Sequence, residues 1–177
     1  MTIRPLTIAG LAAMLMAGPA AAADQLTASF AEGIAWNGET VPEGQQCSKY
    51  GGSGATPEIV VENVPAEADA IVLAFNDETY TPMDDGGHGV VGFRVRDESE
   101  LTLPSVPGET NDLSEPAFPV AGHRADAPGY SPETAYLPPC SGGRGNTYSV
   151  TVQAVTLDSD DEPEEVLAET KLTLGRY

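Results

Sequence analysis

Basic residues are scarce in this sequence: Lys and Arg together number 8, against 27 Asp and Glu, which gives a formal net charge of -19 at pH 7. Proteins that bind nucleic acid depend on clustered Lys and Arg to contact phosphate groups. We therefore expect no nucleic-acid partner and no attraction to anionic membranes. The acidic excess is interpreted as a means of solubility in a salty or acidic habitat, rather than as a surface for a cationic partner.

Histidine and cysteine are also rare, with 2 of each. Such a set does not supply the four ligands of a structural zinc site. Asp158, Asp160, Glu162 and Glu169 have the spacing of a calcium loop, but Pro163 occupies the sixth position, where glycine makes the sharp turn. This segment is predicted to be an acidic, solvated hairpin, and we predict no metal and no cofactor.

Long apolar runs are missing except at the N-terminus, where residues 6–16 are apolar, Arg4 is the only charge and residues 20–23 are alanines. This pattern is typical of a cleaved secretory signal, because the apolar run is too short to span a bilayer. We expect a signal peptide over residues 1–23 and one domain over residues 24–177, in a soluble periplasmic or secreted protein without stable membrane insertion.

Export would place Cys47 and Cys140 where disulfides persist. Paired, they would close a loop of about 90 residues and stabilise the fold by about 4 to 5 kcal/mol in the chain-entropy treatment. The alternative is two unrelated buried thiols. We favour the disulfide.

A helical period is absent between the apolar segments, which excludes alternating βα units. The segments instead have the β-branched content and the alternation of strands, separated by Gly, Pro and Asp. The predicted strands are residues 26–30, 57–64, 70–75, 90–95, 147–157 and 168–174. We predict an all-β fold, a two-sheet antiparallel β-sandwich with little helix.

Residues 103–139 contain eight prolines, each of which removes a backbone donor. We expect no regular strand there, and interpret the segment as a long excursion that folds back over the sheet. His123, inside it, is expected to be an exposed loop residue. Residues 158–165 are expected to form an acidic turn, with one helical turn near residues 162–167.

Signals for catalysis are missing. The sequence has no Gly-x-Ser-x-Gly motif and no Cys-His pair with protease spacing, and Ser141 stands among glycines with no feature beyond turn chemistry. We predict that the protein is not an enzyme. A hydrolase whose site has no recognisable motif is an alternative.

The stretch 79–95 has the features of a pocket: a polar, Gly-rich loop runs through His88 into a β-type segment. A histidine there can bind an anion or a polar headgroup. The alternative is a histidine that pins the loop through a carboxylate such as Glu78. Tyr148 begins the strongest predicted strand, where its hydroxyl either points into the same pocket or belongs to an ordinary core tyrosine.

The order of landmarks along the chain resembles the phosphatidylethanolamine-binding protein family, in its bacterial Raf-kinase-inhibitor-like branch. The resemblance covers nearly the whole mature chain. It is carried by Val41-Pro42, Gln46-Cys47, Thr56-Pro57-Glu58-Ile59, Val64-Pro65, the run 70–78, Gly87-His88 before Val90-Val91, Tyr136-Leu137-Pro138-Pro139-Cys140, Asn146-Thr147-Tyr148 and the closing run 167–177.

The resemblance implies two packed antiparallel sheets with a small pocket for phosphate-like anions. It also supports the pairing of Cys47 with Cys140. By position, the implied ligand-binding residues are Asn76, Asp77, Glu78, His88, Pro139, Asn146 and Tyr148. Asn146 stands where the family has its second histidine, and Gly89 where it has tryptophan, so the implied pocket has fewer donors for an anion.

These observations predict an exported, non-catalytic binding protein for a small anionic or zwitterionic ligand, such as phosphate or a phospholipid headgroup. The alternative is an interaction or inhibitor module that has kept the scaffold and lost the pocket. In that case residues 103–139 would contact an unknown protein partner.

Overall fold

A computed structural model describes residues 25–125 and 127–177. The predicted signal peptide, residues 1–23, lies outside the described residues. The strands in the described residues are β1 (Thr27–Phe30), β2 (Ile59–Glu62), β3 (Ala70–Asp77), β4 (Val90–Arg94), β5 (Glu100–Leu103), β6 (Ala117–Ala121), β7 (Thr147–Leu157) and β8 (Pro163–Arg176). The helices there are the short 3-10 turns Ser48–Tyr50 and Thr81–Met83. The predicted all-β class is confirmed.

The strands form two antiparallel sheets. One contains three strands in the order β1-β2-β5, and the other contains five in the order β6-β4-β3-β7-β8. Their buried side chains join in one core, with Ile59 and Val61 from the small sheet and Phe75, Phe93 and Val150 from the large one. β3 lies in the middle of the large sheet and is buried along most of its length. Its continuous apolar sequence is explained by this position, because both of its faces are covered.

Cys47 and Cys140 form a disulfide, with their Cα atoms 5.3 Å apart. The predicted pairing is confirmed, and the alternative of two unrelated thiols is wrong. The bond ties the Ser48–Tyr50 turn to the segment that leads into β7. Within the described residues, no helix has the length and apolar character needed to cross a membrane.

One prediction for residues 103–139 was wrong, because β6 (Ala117–Ala121) is a regular strand at the edge of the large sheet. Its proline, Pro119, is tolerated because the strand is an edge and its pairing with β4 shifts register between Val90 and Val91. The ring of Phe118 lies on Gly92, at the position that a β-carbon would occupy. This packing between distant residues gives β6 its place.

The helical turn predicted near residues 162–167 is absent, because β8 already begins at Pro163. A tight turn joins β7 to β8, in which Asp158 accepts hydrogen bonds from the backbone amides of Asp160 and Glu162. Asp161 adopts a left-handed conformation with φ 65°. These hydrogen bonds let the chain reverse direction without a helix.

Candidate functional site

A cavity of about 440 Å³ opens at one end of the large sheet. Register explains its position: β3 and β7 are antiparallel, and Asp77 at the end of β3 pairs with Tyr148 at the start of β7. His88 precedes β4 on the other side of β3, where its amide donates to the carbonyl of Phe75 at 3.0 Å. Three predicted site residues, Asp77, His88 and Tyr148, therefore meet at one end of the large sheet.

His88 is buried at the floor of this cavity. Its Nδ1 lies 2.8 Å from the carbonyl oxygen of Leu137, so Nδ1 carries the proton and donates. The backbone amide of Leu137 in turn donates to the carbonyl of His88 at 2.8 Å. Burial lowers the pKa of His88, against smaller opposing effects of the Leu137 carbonyl and of Asp77. His88 is therefore a neutral side chain whose Nε2 accepts hydrogen bonds.

Tyr148 lies beside His88, with ring centroids 5.2 Å apart in an edge-to-face arrangement. Its hydroxyl oxygen accepts a hydrogen bond from the amide of Cys140 at 3.1 Å. Burial raises the pKa of Tyr148 far above its ordinary value, with the hydrogen bond to Ser141 and the charge of Asp77 acting as smaller influences. The phenol stays protonated and can donate to a polar group.

Asp77 and Asn146 also line the cavity. One carboxylate oxygen of Asp77 accepts from the amides of Thr79 and Tyr80, at 3.0 and 3.1 Å, and the other accepts from Asn146 Nδ2 at 2.6 Å. These three hydrogen bonds hold a buried carboxylate in place without a cation. Asn146 therefore positions Asp77. A histidine in place of Asn146 could form the same hydrogen bond only through a protonated ring nitrogen.

Asn76 and Glu78 do not line the cavity, because successive side chains of a strand point to opposite faces. Asn76 accepts from the amide of Gly86 at 2.7 Å. Glu78 accepts from Ser149 at 2.8 Å and forms an ion pair with Lys171 at 3.0 Å. Hydrogen bonds from Lys171 and Ser149 lower the pKa of Glu78. Among the described residues, Glu78 makes no hydrogen bond to His88, so the alternative in which Glu78 pins His88 was wrong.

Pro139 does not line the cavity either. Its carbonyl accepts a hydrogen bond from the amide of Cys47 at 3.1 Å, beside the disulfide. The next residue, Cys140, does line the cavity. The segment that resembles the family motif thus forms one wall, but through different residues from those implied.

Gly89 shows why no large residue follows His88. Its φ is +101°, and a β-carbon there would collide with the carbonyl of Ala135. The backbone of Ala135 thus occupies the space that a side chain at position 89 would need. Only glycine satisfies both the backbone conformation and the close approach.

Two cations at the cavity were not anticipated from the sequence. Arg124 and Arg144 both line it and are both exposed, so they stand at its open side. Arg124 donates to the carbonyls of Asp84 and Asp85, which fixes its position. Arg144 makes no hydrogen bond or ion pair with the described residues. The sequence offered one signal for these two arginines: basic residues are rare in this chain, so each of them is a candidate for binding an anion.

Apolar residues form the rest of the cavity lining. Met83 and Leu137 are buried beside the disulfide, with Ala125 and Tyr130 packed against them. Lys49 fixes Tyr130 from outside, with its Nζ 3.7 Å from the ring centroid. The cavity is therefore amphipathic, with polar lining from β3 and β7 and apolar lining from the loops.

The prediction for His123 was wrong, because this residue is buried. Its Nε2 lies 3.0 Å from the carbonyl of Pro132, and its Nδ1 accepts from the amide of Ala125 at 3.2 Å. It does not line the cavity of His88. Its ring instead holds two parts of the excursion together. Within the part of the chain described, no group of three or more His, Cys, Asp or Glu is arranged to hold a metal ion.

No protein-family model matches the chain, and no curated protein matches it. The resemblance to phosphatidylethanolamine-binding proteins stays a prediction. What the cavity can bind is therefore argued from its own side chains.

Proposed function

We propose that this is an exported, non-catalytic binding protein of the phosphatidylethanolamine-binding type, whose His88 cavity holds a small anionic or zwitterionic ligand. The disulfide supports export, because such bonds persist outside the cytosol. The two antiparallel sheets with one shared core support the proposed type of fold.

The observation that carries the proposal is the charge of the cavity. The chain has a net charge of -19, yet the described residues that line the cavity include two arginines and one carboxylate, Asp77. Because His88 is neutral, its contribution is hydrogen bonding rather than charge. Arg124 and Arg144 thus bring two guanidinium groups to the mouth of the cavity in an acidic protein, which favours anions.

The experiment is a titration of the purified protein with inorganic phosphate and with phosphorylethanolamine at constant ionic strength, followed by NMR through the ring signals of His88 and Tyr148 and the side-chain signals of Arg124 and Arg144. Binding is expected to shift signals of these cavity residues at millimolar ligand. Absence of any shift would contradict the proposal.

Arg144→Gln and Arg96→Gln form a matched pair for this titration. Each removes one exposed positive charge, but Arg144 lines the cavity and Arg96 lies elsewhere, near Asp69 and Asp158. We expect Arg144→Gln to weaken anion binding by about fivefold, because a charged hydrogen-bond donor is lost. Arg96→Gln is expected to leave the affinity unchanged, and equal losses in both would indicate an effect of net charge alone.

A further inference from the structure

The cavity differs strongly between its floor and its mouth, and this difference bears on the ligand of the proposed function. The floor includes side chains that are almost fully buried, among them Asp77, Met83, His88, Leu137, Cys140 and Tyr148. The mouth contains the exposed side chains of Tyr80, Arg124 and Arg144. All the positive charge of the described lining is therefore at the mouth.

An anionic group would be unfavourable at the floor. It would lie near the Asp77 carboxylate and would lose its hydration without meeting a cation, because burial keeps His88 neutral. At the mouth the same group would stay partly hydrated and would meet two guanidinium groups. The charge distribution thus places the anionic group outward.

The floor instead suits an uncharged body. Met83 and Leu137 offer apolar surface, and the His88 and Tyr148 rings offer aromatic edges. A volume of about 440 Å³ lies within the range of sites for organic molecules, and a bare phosphate would leave most of it unfilled. Size and lining agree on a ligand with a body as well as a charged group.

We propose that the ligand is an organic anion bound with its charge outward: its apolar or aromatic body packs between Met83, Leu137 and the rings of His88 and Tyr148, and its anionic group lies between Arg124 and Arg144. This inference rests on the proposed function and specifies its ligand class. Neither inorganic phosphate nor a headgroup lacking an apolar body is then the preferred ligand.

The experiment compares methylphosphonate with benzylphosphonate, which share one head and differ in the body. Burial of the ring is expected to make benzylphosphonate bind about tenfold tighter or more. NMR contacts are expected between its ring protons and the methyl group of Met83. Equal affinities, or ring contacts confined to Tyr80 and Arg144, would overturn this inference and leave the proposed function intact, whereas no binding of either compound would overturn both.

Met83→Gln and Val166→Gln provide the matched variants. Met83 lines the floor, whereas Val166 is an exposed apolar residue of β8 outside the cavity lining. Met83→Gln is expected to reduce the preference for benzylphosphonate over methylphosphonate about fivefold, because the apolar contact with the ring is lost. Val166→Gln is expected to leave both affinities unchanged. An unchanged preference in Met83→Gln would contradict the inference, and the NMR contacts in the unaltered protein remain decisive where the variant does not fold.

Discussion

The rings of His88 and Tyr148 meet edge to face, 5.2 Å between centroids, and both are held by the same short segment of backbone. The carbonyl of Leu137 accepts from His88, and the amide of Cys140 donates to Tyr148. The segment between them is itself tied to Cys47 by the disulfide. The floor of the cavity is thus fixed by loop backbone as much as by the sheet.

The stability of the protein is expected to fall below neutral pH because of His88. Its pKa is lowered by burial, so the unfolded chain takes up a proton near pH 6.5 while the folded protein resists protonation. The unfolded state then binds more protons, and the contribution of His88 is complete above that pH and decreases as the pH falls through it. Between pH 7.5 and 5.5 the loss should be of order 1 kcal/mol.

Urea unfolding at the two pH values, in the unaltered protein and in His88→Asn, measures this effect. Asparagine keeps a donor near the position of Nδ1, so the hydrogen bond to Leu137 has a replacement. Carboxylates titrate in both proteins, and the difference between them isolates the histidine. Parallel pH dependences would rule out the assigned role of burial.

Tyr136 and Tyr148 should respond in opposite directions to the same substitution. The hydroxyl of Tyr136 is buried and has no hydrogen-bond partner in the part of the chain described, whereas that of Tyr148 accepts from Cys140. Tyr136→Phe is expected to raise the free energy of unfolding by about 1 kcal/mol, because an unsatisfied polar group is removed. Tyr148→Phe is expected to lower it by about 1 to 2 kcal/mol, since the Cys140 amide loses its partner.

Chemical denaturation of the two variants tests this pair. The ring of Tyr136 packs on Phe75 with centroids 4.4 Å apart, and phenylalanine keeps that contact. A loss of stability in Tyr136→Phe would show that the hydroxyl has a partner, such as an internal water.

Gly89→Ala is expected to destabilise the protein by about 3 kcal/mol or more. The new methyl group would collide with the carbonyl of Ala135, and the φ of residue 89 is positive, which strains any residue other than glycine. Gly143→Ala is the control, since Gly143 also has a positive φ, of +76°, but has nothing within 4 Å of the added carbon. That variant should lose only about 1 kcal/mol. Thermal unfolding of both separates collision from backbone strain, and similar losses would argue against the collision.

Local pattern was sufficient for part of the fold. β7 has the predicted bounds, because its apolar and polar residues alternate over most of its length, up to Ala154 and Val155. β6 was missed, because its formation depends on Phe118 fitting over a glycine of another strand. His123 was expected to be exposed. Its burial depends on a contact with the Pro132 carbonyl across a loop, which the local sequence does not show.

The same limit applies to the site. Asp77, His88, Asn146 and Tyr148 were all predicted before the structure, and the structure brings them together in one cavity. Alternation on either side of Asp77, where β3 ends, removes Asn76 and Glu78 from the lining, a consequence of backbone geometry that motif position alone does not express. Nothing local relates Arg124 to the cavity, because folding of the excursion places it there.

The disulfide should contribute both to stability and to the shape of the cavity. Cys47 and Cys140 are 93 residues apart in sequence, so the bond restricts a long loop of the unfolded chain. The double variant Cys47→Ala/Cys140→Ala is expected to lose about 4 kcal/mol of unfolding free energy, measured by urea denaturation. A reducing agent should destabilise the unaltered protein similarly and leave the double variant unaffected.

Because the Cys140 amide also holds Tyr148, the ring signals of Tyr148 and His88 should shift in the folded double variant. Unshifted ring signals would show that the sheet alone fixes the floor, and a stability loss below about 1 kcal/mol would contradict the loop-closure estimate.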